Sequence, residues 1–217
     1  MEKLKKMAAC HVVRYVEDGM VVGLGTGSTV KYAIKKIGEM VKKGVKIIGI
    51  PTSLETEKLA RNEGITLSTL NEHEIDITID GADQVDENLN LIKGGGGALL
   101  REKMVASCSK KEIIIVDESK IVESFSFPLP VEVVKFGWKS VVPKIKKLGF
   151  MPELRGDFVT DNGNYILDCK YKNIENVGEM EKLLNNVPGV VENGLFIDLA
   201  TEIIVGTADG AKSIRRQ

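Results

Sequence analysis

Short apolar segments alternate with longer amphipathic segments through the first half of the chain. The apolar segments have the length of buried strands, and they lie at 21–25, 46–50, 65–70, 75–80 and 112–117. Between them, apolar positions recur with helical spacing at 3–17, 28–44, 54–64 and about 97–108. Buried strands that alternate with helices predict a parallel sheet with helices on its faces, which is an α/β fold.

The pattern changes at FPLP (127–130), where two prolines interrupt the chain. Beyond this point the apolar positions predict strands at 131–136, 151–155, 157–160, 165–171 and 195–199, with helices at 137–148 and 177–186. An Asn-Gly pair inside 161–164 favours a tight turn. This order approximates the β-α-β-β-α-β arrangement of ferredoxin-like domains. A last buried strand, 202–207, is expected to return to the first sheet.

The composition fits a globular protein and argues against several kinds of function. The 217 residues carry a formal net charge of −1, so we expect no concentrated basic surface for nucleic acid. We also expect no membrane span and no signal peptide, because no apolar stretch is long enough and the N-terminus lacks an apolar core. Three widely spaced cysteines favour a reducing, cytoplasmic setting. Only two histidines occur, so carboxylates and lysines must carry any acid–base chemistry.

The segment GLGTGSTV (23–30) follows a predicted strand and opens a predicted helix. Such a turn exposes backbone N–H groups at the positive end of a helix dipole, where a phosphate binds well. The hydroxyls of Thr26, Ser28 and Thr29 add hydrogen-bond donors. The spacing does not fit a dinucleotide fingerprint, since Ser28 and Val30 stand where a third glycine is needed, and no Walker lysine follows. A tight structural turn with a hydroxyl helix cap is the alternative.

A second glycine-rich segment, KGGGG (93–97), comes just before a predicted helix. Four glycines cost conformational entropy on folding and are favoured where the backbone must approach a ligand; a flexible hinge is the alternative. Asp80 and Asp83 lie at the carboxyl end of a predicted strand, the edge where α/β sheets bind ligands. With Asp86 and Glu87 these acids raise the question of a metal site, but their spacing fits no EF-hand loop. We expect no metal, and we expect Asp86 and Glu87 to be solvated loop acids.

Glu102 lies on the helix predicted after the glycines. It shares a helical face with four small or apolar residues, Ala98, Leu99, Val105 and Ala106. A carboxylate on such a face is expected to be partly desolvated, which raises its pKa toward the range of a useful general base. The neighbouring Arg101 and Lys103 are expected to point elsewhere and to stay solvated. An ordinary surface glutamate is the alternative interpretation.

Seven segments taken together closely resemble the ribose 5-phosphate isomerase family of the A type. They follow in compatible order and spacing along nearly the whole chain: GLGTGST, DGAD, LIKGGGGALLREK, DESK, FPLPVEVV, VTDNGN and GLF. The run DGAD…KGGGGALLRE is highly specific. Gln84 departs from the glutamate that often follows DGAD in the family.

The resemblance implies interconversion of D-ribose 5-phosphate and D-ribulose 5-phosphate in the pentose phosphate pathway, without a metal or an organic cofactor. It implies a Rossmann-like domain of residues 1–127 and 201–217, a ferredoxin-like domain of residues 128–200, and a homodimer or homotetramer. Glu102 corresponds to the proton-transferring base. The residues that correspond to substrate-binding positions are Thr26, Gly27, Ser28, Thr29, Asp80, Gly81, Ala82, Asp83, Lys93, Gly94, Gly95, Gly96, Lys120 and Lys5.

The residues are chemically suited to this reaction. Moving a proton between carbons 1 and 2 through an enediolate needs one base, and positive charge or N–H donors for the developing oxyanion. Glu102 can be the base, and Lys93 with the glycine-loop amides can hold the oxyanion. Asp80 or Asp83 can bind sugar hydroxyls and help open the furanose ring. The rivals are a non-catalytic sugar-phosphate sensor, which should carry a DNA-binding extension, and a related lactonase or deaminase, which should lack this ordered set of motifs.

Overall fold

The computed structural model of the protein describes residues 1–216. Its α-helices, in chain order, are α1 (Glu2–Val12), α2 (Val30–Lys42), α3 (Leu54–Asn62), α4 (Leu99–Ser107), α5 (Val142–Lys147) and α6 (Val177–Asn185). Its strands are β1 (Val21–Leu24), β2 (Ile48–Pro51), β3 (Thr66–Leu67), β4 (Ile77–Asp80), β5 (Gln84–Val85), β6 (Leu91–Ile92), β7 (Glu112–Asp117), β8 (Leu129–Val133), β9 (Met151–Leu154), β10 (Tyr165–Lys170), β11 (Val190–Asn193), β12 (Leu195–Phe196), β13 (Glu202–Thr207) and β14 (Gly210–Arg215). Single turns of 3-10 helix lie at Val13–Tyr15, Glu118–Lys120 and Trp138–Ser140.

The largest sheet has seven strands in the order β14-β13-β7-β4-β1-β2-β3. Its strands pair in parallel except at one edge, where β13 and β14 form an antiparallel hairpin. The predicted return of 202–207 to this sheet is confirmed, because β13 runs parallel to β7 with Glu202 beside Ile113. The α/β class with a Rossmann-like parallel sheet is therefore confirmed.

Helices cover both faces of this sheet, which explains why its central strands are apolar. β7 and β13 are buried along their whole length. On one face α1 and α2 pack through Val12, Ile34 and Ile37, and on the other face α4 packs through Leu99 and Ala106. Burial on both faces leaves the carboxyl ends of β1 and β4 as the place where polar side chains gather.

A second sheet has four antiparallel strands in the order β11-β8-β10-β9. With α5 between β8 and β9, and α6 between β10 and β11, its chain order is β-α-β-β-α-β, so the predicted ferredoxin-like arrangement is confirmed. The domain boundaries at 127/128 and 200/201 stay a prediction, and residue 217 of the first domain lies outside the described residues.

Two predicted strands of the small sheet were wrong. Residues 157–160 are not a strand, because β9 ends in a turn at Gly156, whose φ is +47°, and Phe158 N–H bonds back to Arg155 O. The last strand of the motif is β11, not 195–199. The chain leaves the sheet at Gly194, where an added Cβ would lie 2.3 Å from Lys93 O.

A third sheet of three short strands, β12-β6-β5, shares a core cluster with each of the other two sheets. Leu195 of β12 pairs with Ile92 of β6, so the segment that follows β11 pairs with the segment that precedes Lys93. Of these two-residue strands, β12 falls within the predicted strand 195–199, while β5 and β6 were not predicted. Some other predicted elements are shorter in the structure: 3–17 is α-helical only to Val12, 137–148 only from Val142 to Lys147, and 65–70 is a strand only at Thr66–Leu67. The hairpin strand β14 was also not predicted.

Candidate active site

A cavity of about 140 Å³ opens at the carboxyl ends of β1 and β4. Thirteen of its fifteen lining residues are predicted site residues: Lys5, Thr26, Gly27, Ser28, Thr29, Gly81, Ala82, Asp83, Lys93, Gly94, Gly96, Glu102 and Lys120. Val30 and Val116 complete the lining and were not predicted. The other two predicted residues do not line it: Asp80 is buried and contacts Lys93, and Gly95 is exposed.

The loop between β1 and α2 forms one end of the cavity. The backbone N–H groups of residues 27–30 donate no hydrogen bond within the described chain, and they lie at the first turn of α2. No side chain caps this helix, so the alternative of a hydroxyl-capped turn is wrong. Lys5 reaches the loop from α1, where its Nζ donates to Ser28 Oγ at 2.9 Å, and Lys120 enters from the 3-10 turn after β7. Unpaired amides and two lysines suit a phosphate.

Thr26 differs from its neighbours in this loop. Its hydroxyl lies within 2.8–3.1 Å of three other hydroxyls, those of Thr52, Ser53 and Thr56. Its backbone N–H donates to Asp80 Oδ1 at 3.1 Å. Both groups therefore hold the loop in place.

Asp80, Lys93 and Glu102 meet at the floor of the cavity. Lys93 Nζ lies 3.1 Å from Asp80 Oδ2 and 3.4 Å from Glu102 Oε1, and it also donates to the carbonyl of Gly81. The carboxyl of Asp80 is completely buried, and the residues Lys93 and Glu102 are 2% and 5% exposed. The predicted burial of Glu102 is thus confirmed, and a solvated surface glutamate is wrong.

The buried charges shift each other's titration. Burial raises the pKa of Glu102 to about 8; the charge of Lys93 opposes this rise, and Asp80 and Asp83 add to it. Burial also raises the pKa of Asp80, again against the attraction of Lys93. For Lys93 burial works against the charged form, but the neighbouring carboxylates outweigh it and raise the pKa of the ammonium. A glutamate that titrates near neutrality can both take and return a proton.

Three of the four glycines after Lys93 have a reason in the structure of the protein itself. Gly94 and Gly97 have φ values of +106° and +83°, which L-residues rarely adopt. A Cβ on Gly95 would lie 2.6 Å from Asp83 Oδ1, and the Gly95 N–H donates to the other Asp83 oxygen at 2.7 Å. Gly96 has an ordinary φ and nothing within 4 Å of its missing Cβ, although it lines the cavity. Protein packing therefore gives no reason for a glycine at this position.

Two charged residues of this region were misjudged or missed in the sequence. Lys103 was expected to stay solvated, but it is buried, and its Nζ pairs with Glu192 at 2.8 Å and Glu181 at 3.2 Å. Glu112, at the start of β7, is a buried carboxyl whose oxygens have no hydrogen-bond partner in the described chain. Burial, reinforced by the charge of Asp80, raises its pKa well above the ordinary value. Its signal was a lone glutamate opening a buried strand.

Of the remaining loop acids, Asp86 orders a turn and Glu87 is exposed. Asp86 accepts hydrogen bonds from the backbone N–H groups of Asn88 and Asn90 and from the Asn90 side chain. No group of three or more His, Cys, Asp or Glu side chains within residues 1–216 is arranged to hold a metal ion. In the same range no helix has the length and apolar character needed to span a bilayer.

Comparison with known proteins gives one consistent result. Residues 48–210 match the family described as ribose 5-phosphate isomerase A (phosphoriboisomerase A). The chain is 48% identical to ribose-5-phosphate isomerase A of Methanothermobacter thermautotrophicus over 220 residues, which cover 98% of this chain and 97% of the relative. Ribose 5-phosphate isomerase from Plasmodium falciparum superposes with a TM-score of 0.96 at 40% identity over 100% of both chains. A D-ribose-5-phosphate isomerase in complex with phospho-erythronic acid also gives 0.96, at 43% identity over 99% of both chains. The chain is therefore an enzyme, and it belongs to the ribose 5-phosphate isomerase A family.

Proposed function

We propose that the chain interconverts D-ribose 5-phosphate and D-ribulose 5-phosphate through an enediolate, with Glu102 as the general base. One observation carries the proposal. A buried carboxyl whose pKa is raised to about 8 lies beside an ammonium group in a cavity that ends in free helix amides. The amides and lysines at one end suit the phosphate, and the base lies in the wall of the same cavity.

The two aspartates of DGAD are assigned different roles. Asp83 lines the cavity, which supports a role in binding sugar hydroxyls and in taking a proton as the furanose ring opens. Asp80 lies beneath the cavity and contacts Lys93 and the Thr26 amide. We therefore assign ring opening to Asp83, and to Asp80 the positioning of the ammonium and of the phosphate loop.

Positive charge for the enediolate comes from the chain itself. Lys93 Nζ and the free N–H groups of the glycine loop lie in the cavity wall, where an oxyanion at carbon 1 or 2 can accept from them. We propose that no metal and no organic cofactor takes part. Ser28, Thr29, Lys5 and Lys120 then hold the phosphate throughout the reaction.

The chemistry also suggests a ligand. The relative solved with phospho-erythronic acid has the same fold as this chain, and we propose that this acid binds the same cavity here. Its carboxylate places two oxygens and a negative charge where an enediolate would develop them. We further propose that the enzyme works in the cytoplasm, in the pentose phosphate pathway, as a homodimer or homotetramer; its three free cysteines are consistent with a reducing compartment.

The proposal is tested by incubation with ribose 5-phosphate in heavy water with a chelator and no added metal. We expect ribulose 5-phosphate that carries solvent deuterium at carbon 1, because Glu102 exchanges its proton with solvent between the two transfers. Ketose without any deuterium would contradict the enediolate path. Binding of ribose 5-phosphate without turnover would instead favour a sugar-phosphate sensor. Activity that disappears on chelation and returns with a divalent ion would contradict the cofactor-free mechanism.

A further inference from the structure

The glycine loop is held from outside by an arginine of the small sheet. Arg155 follows β9, and its guanidinium pairs with Asp168 of β10 at 2.8 and 2.5 Å. The same guanidinium donates through Nη1 to the carbonyls of Gly94 at 3.0 Å and Gly95 at 3.2 Å. One side chain thus connects the four-stranded sheet to two successive peptide groups of the cavity wall.

These two contacts fix the direction of two N–H groups. Every peptide bond in the described chain is trans, so each carbonyl points opposite to the N–H of the same peptide group. The Gly94 carbonyl points to Arg155. The N–H of the same peptide group belongs to Gly95, and it donates to Asp83 on the opposite side. The Gly95 carbonyl also points to Arg155, which turns the Gly96 N–H away from Arg155. Gly96 lines the cavity, and its N–H has no acceptor within the described chain.

A second residue of the same segment supports this arrangement. The ring of Phe158 packs against Gly97, where an added Cβ would lie only 2.3 Å from the Phe158 Cζ. The guanidinium carbon of Arg155 lies 5.7 Å from the centre of that ring, which is within the range of a cation–π contact. The guanidinium of Arg155 is therefore in contact with Asp168, with the ring of Phe158 and with the glycine loop, which leaves it little freedom to move.

We propose that Arg155 is a positioning residue for the isomerisation: it holds the glycine loop so that the Gly96 N–H points at the developing oxyanion. This inference rests on the proposed function, since it assumes that an oxyanion forms in this cavity. It assigns the small sheet a part in the reaction, although no residue of that sheet lines the cavity. Its chemical reason is that a planar guanidinium holds five N–H donors in a fixed fork, so two of its nitrogens can pair with Asp168 while the third faces both carbonyls, whereas an ammonium has only three donors and no fixed plane.

The test compares Arg155→Lys, Arg155→Ala and, as a matched control, Lys170→Ala. Lys170 makes an exposed cross-strand ion pair with Glu153 on the same two strands and does not touch the loop. In Arg155→Lys the pair with Asp168 can persist while the carbonyl contacts are lost. We expect kcat to fall about 10- to 100-fold in both Arg155 variants, as for a displaced donor, with little change in KM.

Two inhibitors separate positioning from general loosening. The inhibition constant of phospho-erythronic acid should rise in parallel with the loss of kcat/KM, while that of inorganic phosphate should match the control, because the helix amides that bind phosphate do not touch Arg155. Equal weakening of both inhibitors, or a folded Arg155→Lys variant as active as Lys170→Ala, would overturn the proposal. If the wild type shows no turnover, the proposed reaction fails, but the ratio of the two inhibitor affinities still decides whether Arg155 positions the loop.

Discussion

Replacing Glu102 by glutamine should make the protein less active and, at alkaline pH, more stable. Folding raises the pKa of this carboxyl from 4.5 to about 8. Between these two values the folded protein binds a proton that the unfolded chain has released, so its contribution to stability is full below pH 4.5 and is lost as the pH rises through 8. Glutamine cannot ionise, and the variant does not suffer this loss.

The size of the effect follows from the shift. A rise of roughly 3.5 in the pKa of this carboxyl on folding corresponds to about 5 kcal/mol in the free energy of unfolding. Relaxation of the site and entry of water around the ionised carboxylate reduce this cost in the wild type. We therefore expect the free energy of unfolding of Glu102→Gln, relative to wild type, to increase by about 2–5 kcal/mol between acid and alkaline pH.

The assay is urea unfolding followed by circular dichroism at about pH 5, 7 and 9, with activity measured on the same samples. Activity should fall by about 10²–10⁴-fold, the contribution of one general base. Glu153→Gln is the control, because this glutamate is exposed and its ion pair contributes little to stability. A stability difference between Glu102→Gln and wild type that stays constant from acid to alkaline pH would refute the buried, proton-binding carboxyl.

Two further substitutions test the ends of the cavity. Gly96→Ala should lower kcat/KM by about tenfold or more, because the methyl group enters space kept for the ligand, while the thermal unfolding temperature stays unchanged or rises. The control is Gly178→Ala, which also has an ordinary φ and no contact closer than 3.8 Å to an added Cβ, and it should leave activity intact. Equal activity of the two variants would contradict the role assigned to Gly96. Lys5→Ala should raise KM for ribose 5-phosphate about tenfold with kcat unchanged, since its ammonium lies beside Ser28 at the phosphate end. Lys3→Ala on the same helix is the control. If the two variants have the same KM for ribose 5-phosphate, this role for Lys5 is excluded.

The sequence was informative where one residue's environment follows from its own element. Helical spacing placed Glu102 among Ala98, Leu99, Val105 and Ala106, and the carboxyl is buried as expected. Strand ends placed Asp80 at the edge of the sheet, where the structure has it. Apolar runs of four to six residues marked most strands of the parallel sheet, because a strand buried on both faces must be apolar throughout.

The sequence failed where a partner from elsewhere in the chain decides the outcome. Lys103 is a charged helix residue that was expected to be solvated. In the structure Glu181 of α6 and Glu192 of β11 approach its ammonium and exclude water. The hydroxyl of Thr26 is chemically suited to a phosphate, yet the loop after β2 and the first turn of α3 bring three other hydroxyls against it. Such contacts depend on how the sheets are assembled, which no local periodicity encodes.

The segment GLF (194–196) shows how an apolar motif can serve the reaction. Gly194 accepts a hydrogen bond from the Lys93 N–H at 2.9 Å and approaches the Lys93 carbonyl so closely that no side chain would fit. Phe196 places its ring 5.4 Å from the Lys93 ammonium and 5.0 Å from that of Lys103. The motif thus holds the backbone of Lys93 through Gly194 and contacts the ammonium of Lys93 through Phe196. The same ammonium contacts both Asp80 and Glu102, so a strand that carries no ionisable group helps to hold the charge that opposes the rise that burial causes in the pKa of both carboxyls.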